Sequence, residues 1–534
     1  MLAPFVVAAA DVEVGSFSKS TVTGAQVVSH GLGSTPKGLI LWTNDQLAGV
    51  TGPGARMAIG LSDGTTSRAV ASASQHAAAS ANTSVGLYAR ALAVLRWGEV
   101  TDAEADLLSW DATSFTLNWI TNDGTPANVH YLIIGGAAQC RVVDWAMPNA
   151  PPATVAVTGV GFRPDAVLSI HGGSSNVALG LATSAVLGVT AMDSSGGQWA
   201  SGSRSYDAAA TTGTGAHRFQ SAARSLVLGN GSGLYEQAQW QSMDADGFSM
   251  RFTAGIAGNT GRVFSLALAN VDARAGALLK ATAAAPAIQD VSVGFTPGAV
   301  LLKSDQTTTQ AGVTAHDRSG LGAADGFNQG CAAAQNTDGV SPSQATGVDS
   351  VSATFDKVDS DGGVVAAEAT LTMIDGGFRL RWTPNDAVAT EIGFLAIAVR
   401  GPDGGLDAGP PDAGPPDAGP PDAGPPDAGP PDAGPPDAGP PDAGPSDAGP
   451  PDAGPPDAGP PDAGGPDAGA PDAGNPDAGN PDAGNPDAGS PSDDGGSSGP
   501  LERQVGCDCS AAPLGWLGVA LLFYPRRRRA QRGA

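Results

Sequence analysis

The sequence predicts an all-β head of three tandem antiparallel β-sandwich modules, jelly-roll-like, followed by a disordered Pro/Gly/Asp stalk and a short apolar C-terminal helix. Three observations predict it. A tight Gly/Pro turn feeds an apolar strand three times, at Leu32-Gly-Ser-Thr-Pro36, Val160-Gly-Phe-Arg-Pro164 and Val293-Gly-Phe-Thr-Pro297. A second landmark follows each, at Phe115-Thr-Leu-Asn-Trp119, Phe248-Ser-Met-Arg-Phe252 and Phe378-Arg-Leu-Arg-Trp382. After the third copy, Pro-Pro-Asp-Ala-Gly repeats from Asp407 to Ser490, without an aromatic, β-branched or basic residue.

Landmarks recurring in one order at one spacing mark homologous copies. They divide the head into 1–138, 139–270 and 271–401. In each second landmark, apolar and polar residues alternate with period two, the pattern of a half-buried antiparallel strand. The segments ahead of them, such as Asp244-Ala-Asp-Gly247 and Asp375-Gly-Gly377, are turn chemistry, because Gly accepts positive φ and Asp caps its own turn. Each copy closes on another apolar strand, within 129–134, 263–268 and 392–398. Many short strands between such turns suggest a sandwich.

The first copy opens on an apolar run, 1–10, that ends in small residues. It lacks a basic n-region, so it reads as a strand or as the remnant of a longer signal peptide; export of the remainder favours the remnant. Farther on, residues 69–97 are Ala-rich and locally compatible with a helix. The corresponding stretches 223–228 and 351–355 read as short strands, and homologous copies share a fold, so a strand is expected here too.

Little in the head points to catalysis. Gly60-Leu-Ser62-Asp-Gly64 matches the nucleophile-elbow pattern, but that motif needs a strand-to-helix turn in an α/β sheet, and the second copy has Ala182 at the aligned position. The histidines (His30, His76, His130, His171, His217, His316) are scattered without zinc-ligand spacing. The acidic turns at Asn122-Asp123, Asp244-Ala-Asp246 and Asp356-Lys-Val-Asp359-Ser-Asp361 raise calcium, which needs six or more converging oxygens. None matches an EF-hand loop, and simple turns are the favoured reading. No catalytic residue, metal ligand or cofactor is therefore assigned. Cys140 and Cys331 could pair, but two unpaired thiols explain them equally well.

The stalk, 402–504, cannot bury enough apolar surface to offset its ordering entropy. Proline and the spaced carboxylates extend it, to roughly 260 Å as a polyproline II rod or roughly 50 Å as a coil. The tail, 505–534, carries Gly506, Cys507 and Cys509, then an apolar run ending at Tyr524, then Arg526, Arg527, Arg528 and Arg529. The run is short for a spanning helix, and the arginines favour the cytoplasmic side. A Cys, a short apolar run and an Arg cluster together read as a sorting signal, by the logic of a removed anchor signal.

Gly506-Cys507, an apolar segment containing Trp516, and the terminal Arg run resemble the MYXO-CTERM sorting tail of myxobacterial surface proteins. The resemblance covers 505–532. It implies cleavage by a sorting protease, lipid attachment at the Cys beside Gly, and display on the outer surface. By position that Cys is Cys507; Cys509 leaves the modified residue open, and Tyr524-Pro525 interrupts the junction with the arginines. The head modules resemble β-sandwich repeats of phage tail and bacterial surface proteins.

The formal charge of −26 is uneven. Residues 401–502 hold 21 carboxylates and no Lys or Arg, and the tail from Arg503 is +5, which leaves residues 1–400 at −10. An acidic head without a basic face argues against nucleic acid. The expectation is a non-enzymatic, exported, outer-membrane-anchored protein, adhesive or ligand-binding. Its expected partners are the membrane, a sorting protease, and polysaccharide or another cell surface. The alternatives are a surface hydrolase acting on matrix polysaccharide, or a passive coat or spacer.

Overall fold

The computed structural model describes residues 11–401, except 175–177, 210–214, 259, 309–311 and 360–362. They lie within one compact unit, Met1–Asp422; the other, Ala423–Ala534, falls outside the described residues, as do the predicted signal remnant, stalk and tail. The described part is all-β, in six antiparallel sheets and without a helix.

Each copy contributes a large and a small sheet. The first large sheet runs β1 (Val12–Ser18), β11 (Asn128–Ile134), β3 (Gly38–Thr43), β5 (Ala55–Ser62), β6 (Ser67–Ser74), β7 (Thr83–Tyr88), β15 (Gly180–Thr183). The second runs β12 (Gln139–Ala146), β22 (Arg262–Ala269), β14 (Ala166–His171), β16 (Ala185–Asp193), β17 (Gln198–Ser205), β18 (Ala216–Ser221), β26 (Val313–Ala315). The third runs β23 (Val271–Leu279), β33 (Glu391–Val399), β25 (Ala299–Ser304), β27 (Asp317–Ala324), β28 (Gln329–Asn336), β29 (Ala345–Ser350), β4 (Thr51–Pro53). The first small sheet is β2 (Gly24–Ser29), β10 (Ser114–Thr121), β9 (Val100–Trp110), β8 (Leu92–Arg96). The second is β13 (Ala153–Thr158), β21 (Gly247–Ala254), β20 (Gly233–Asp244), β19 (Leu226–Asn230), and the third is β24 (Ala287–Ser292), β32 (Gly377–Trp382), β31 (Val365–Ile374), β30 (Phe355–Val358). The Ala-rich stretch with helical character is β6, β7 and β8: sheet pairing overrides its local propensity.

The last strand of every large sheet comes from another copy. The second copy lends β15 to the first, the third lends β26 to the second, and the first lends β4 to the third. The exchange closes a ring. In each copy one residue turns the chain from the neighbour's sheet back into its own: Gly54, Ser184 and His316, with φ of 93°, 70° and 69°. Positive φ is costly for Ser and His, so packing on both sides must hold them there.

A second ring runs the other way. Asp63, Asp193 and Asp325, each at the hairpin between two large-sheet strands, accept the backbone N–H of the next copy's edge strand. The donors are Val142 (2.9 Å), Ala275 (2.7 Å) and Val14 (2.8 Å). Both edges of each large sheet are thus engaged by a neighbour, which blunts the tendency of open edges to aggregate.

The cores follow. The inner faces of all three large sheets share one central core, with Ile40 and Trp42, Leu168 and Ile170, and Leu301 and Leu395 among its members. The outer faces pack on the small sheets, where Phe115, Leu117 and Trp119, and their counterparts Phe248, Met250, Phe252 and Phe378, Leu380, Trp382, point inward. Both ends of the described chain lie at one end of the ring, the base: Gly135 N donates to Asp11 O, and Arg400 pairs with Asp165 and Asp272.

Candidate functional site

Where two large sheets meet in the central core, equivalent positions hold different pairs. Between the first and second copies, Arg68 lies over Phe264 at 5.9 Å. Between the second and third, Trp199 lies on Gly393, where a Cβ would sit 2.4 Å from its ring, and its Nε1 donates to Phe394 O at 2.6 Å. Between the third and first, His130 lies on Gly330, stacks on Trp42 with centroids 5.3 Å apart, and meets Asp349 at 2.9 Å. A large group faces a small one at two of these seams, so each copy fits one neighbour.

At the seam between the first two copies, near the base, opens a cleft of about 430 Å³, within the range of small-ligand sites. Thr65, Thr66 and Arg68 line one side, and Asp106, Leu108 and Asn118 the other. Asp63 shapes the first wall by accepting from Thr65 N (2.8 Å), Thr65 Oγ1 (2.6 Å) and Thr66 N (2.6 Å). Burial pushes the Asp63 carboxyl up, but these hydrogen bonds and the one from Val142 outweigh it and hold it below its usual range. Arg68 is oriented by Asp144 of the second copy (2.8 Å). Beside the second wall, Glu104 stands two residues from Asp106 on β9 and so on the same face of the strand. Arg90 spans them, 3.1 Å from Glu104 and 3.5 Å from Asp106.

This wall combines donors, acceptors and one exposed apolar side chain, a composition suited to a polyhydroxylated ligand. Strand register aligns Arg68 with Trp199 and Gly330, Asp106 with Gln239 and Thr370, and Asn118 with Arg251 and Arg381. The cleft's polar set therefore belongs to the first copy.

The motifs singled out in the sequence resolve mostly into turns. Ser62 ends β5 in a hairpin and hydrogen-bonds Ser67 Oγ at 2.9 Å, not at a strand-to-helix elbow. Asp246 accepts from Gly159 N (3.0 Å) and Gly161 N (2.5 Å), and Asp244 from Ser242 and Ser249. Asp123 pairs with Lys19, and Asp359 with Arg318 and Lys357; Asp361 lies outside the described residues. Among the described residues no group of three or more His, Cys, Asp or Glu could hold a metal ion, and no helix is long and apolar enough to cross a membrane. Cys140 and Cys331 are unpaired, and burial pushes both thiols up. Gly506, Cys507, Cys509, Arg526, Arg527, Arg528 and Arg529 lie outside the described residues.

Of the histidines, His171 is wholly buried, neither ring nitrogen has a hydrogen-bond partner, and burial pushes it down to about 4. A depressed folded value means protonation opposes folding. Its contribution is full above the ordinary value near 6.5 and is lost as pH falls through about 4. Buried Glu236, Asp356 and Glu391 act oppositely: burial pushes each up to about 7, so their contribution is full at acid pH and is lost as pH rises through about 7. His171→Leu removes two unsatisfied nitrogens and is expected to be neutral or stabilising at pH 7.5. It should flatten the loss of stability between pH 6.5 and 4, read as urea midpoints across that range; an unchanged slope would refute the assignment.

No family model, curated protein or solved structure matches the chain. The seam pairs and the cleft had no signature in the sequence: the seam partners are remote along the chain, as His130 and Asp349 are at 219 residues, the cleft draws on separate stretches around 65–68, 106–108 and 118, and both sets differ from copy to copy. The one available signal was the Asp that recurs as Asp63, Asp193 and Asp325, each at the close of a strand, on its last residue or the one after, at the same place in its copy.

Proposed function

We propose that the head is the binding part of an exported, surface-displayed, non-enzymatic protein, and that the first copy's cleft takes a saccharide. The observation that carries this is the pairing of Asp106 and Asn118, an acceptor-only group and a donor–acceptor group, beside exposed Leu108 in a cleft of ligand size. Vicinal hydroxyls satisfy the polar pair and the apolar face of a sugar ring covers Leu108. Arg90 occupies both Glu104 and Asp106, which favours binding over acid–base hydrolysis there. Because the aligned positions of the other copies hold Gln239 and Arg251, or Thr370 and Arg381, the polar pair of this site belongs to the first copy. Display rests on the tail: its likeness to a MYXO-CTERM signal supports processing and lipid attachment at Cys507 or Cys509, with Arg526 to Arg529 left on the cytoplasmic side.

The test is a glycan array probed with the full-length protein, beside Asp106→Ala and Asn118→Ala. Binding that each variant weakens about tenfold or more is expected, one hydrogen-bonded group being lost in each case. A blank array would leave the passive coat or spacer reading standing; binding that neither variant changes would move the site elsewhere. Intact mass of the mature protein from its host, beside Cys507→Ala, tests display: a chain ending near Cys507 and carrying lipid is expected, and a chain still ending at Ala534 would refute it.

A further inference from the structure

In the first and third copies a buried lysine at the end of the first strand meets an Asn–Asp pair just ahead of the last strand. Lys19 follows β1 and Lys280 follows β23, and both are fully buried. Lys19 Nζ is 3.1 Å from Asn122 Oδ1 and 2.8 Å from Asp123 Oδ1. Lys280 Nζ is 2.6 Å from Asn385 Oδ1 and 2.8 Å from Asp386 Oδ1. Each amide is held in place by its Nδ2: Asn122 donates to Ser20 O at 2.7 Å, and Asn385 to Ala283 O at 2.7 Å. Each ammonium lies by a tryptophan ring, Trp119 at 5.8 Å and Trp382 at 5.5 Å. The indole N–H of each tryptophan is taken by Gln26 or Gln289.

The second copy changes the whole set. By strand register Lys becomes Met147, Trp becomes Phe252, Gln becomes Val155, and the Asn–Asp pair becomes Gly255-Ile256. The fold is therefore complete with an apolar version, and a buried ammonium with its polar partners, costly to desolvate, is not needed to build it. We propose that the polar set is reactive: Lys19 and Asn122, and Lys280 and Asn385, join as intramolecular isopeptide bonds, with Asp123 and Asp386 carrying the proton.

The chemistry balances without a co-reactant. The aspartate takes a proton from the lysine ammonium, since only the neutral amine is a nucleophile. Nζ attacks Cγ of the asparagine, forming the new C–N bond and moving the carbonyl pair onto Oδ1. The tetrahedral centre collapses, the Cγ–Nδ2 bond breaks, and Nδ2 leaves with the bonding pair as ammonium, carrying the proton that the aspartate returns and the one Nζ gives up, so the aspartate ends ionised as it began. The hydrogen-bond distances hold the amine and amide as neighbours, which is the entropic part of the barrier already met by the fold. The bonds would tie the first strand to the approach of the last strand across 103 and 105 residues. Such a clamp resists extraction of either strand.

The proposal is tested on the unmodified full chain by peptide mapping under reducing, denaturing conditions. Expected are a Lys19 peptide joined to an Asn122 peptide and a Lys280 peptide joined to an Asn385 peptide, each about 17 Da below the summed masses for the ammonia lost. Linear peptides for both pairs, with asparagine intact or deamidated, overturn the proposal; one linear pair overturns it for that copy. Asp123→Ala should abolish the first joined product and leave the second, which reports that the protein has folded. A first joined product that survives Asp123→Ala overturns the proton-carrying role of Asp123.

Discussion

Trp199→Ala is expected to lower the free energy of unfolding by about 3–5 kcal/mol, the range for removing a buried aromatic side chain. Trp199 is fully buried at the seam of the second and third copies, flat on Gly393, with its N–H on Phe394 O. Truncation leaves a cavity shared by two copies and removes the indole donor from Phe394 O. The backbone of β17 and β33 is held by sheet pairing, so collapse into the space is limited. Urea unfolding followed by circular dichroism measures it. The mirror substitution tests the cause. Gly393→Ala overpacks against the ring and should cost about 1–3 kcal/mol in the native background, but less in Trp199→Ala, where the ring is gone. Additive effects of the two would show that the contact does not define the seam.

Asp349→Ala is expected to cost about 3–5 kcal/mol, as when one partner of a buried polar pair is removed. Asp349 accepts from Asn128 at 2.9 Å and meets His130 at 2.9 Å; neither the His nor the Asp side chain has exposed surface. After truncation Asn128 and His130 from the first copy lose their partner from the third. This seam differs from the other two because no linker joins the copies across it. The chain runs first to second to third, and the ring closes only through contacts such as this one, β4 on β29, and Asn44 Nδ2 on Ala333 O and Val348 O. Weakening it should release the β4 excursion first. Limited proteolysis within 44–50 is therefore expected to speed up in Asp349→Ala well before global unfolding. A variant that loses stability without faster cleavage there would mean that the ring opens elsewhere.

Much of the head was readable from local chemistry. Phe115, Leu117 and Trp119 alternate with polar residues, and that alternation alone places their side chains on one buried face. Comparing copies settled the Ala-rich stretch as β6 to β8, where single-sequence propensity leaned to helix. The exchanged strands were not readable. Thr51-Gly-Pro53 and Val313-Thr-Ala315 are three residues each, too short for a hydrophobic period. A chain of tandem beads and a closed ring have the same alternation along every strand.

The cleft was hidden for a related reason. Thr65, Arg68, Asp106 and Asn118 carry no recognisable spacing, and they converge only because the turn after β5 lies beside β9 and β10. By itself, the sequence determined the all-β class, the buried face of the landmark strands, and that three copies share one plan, because turn chemistry and period-two burial act over a few residues. Tertiary structure alone decided which copy lends a strand to which, that Trp199 meets a glycine while His130 meets Asp349, and that Thr65, Arg68, Asp106 and Asn118 of the first copy line a cleft. Those choices are made by shape and polar matching between surfaces remote along the chain, and such matching leaves no local pattern.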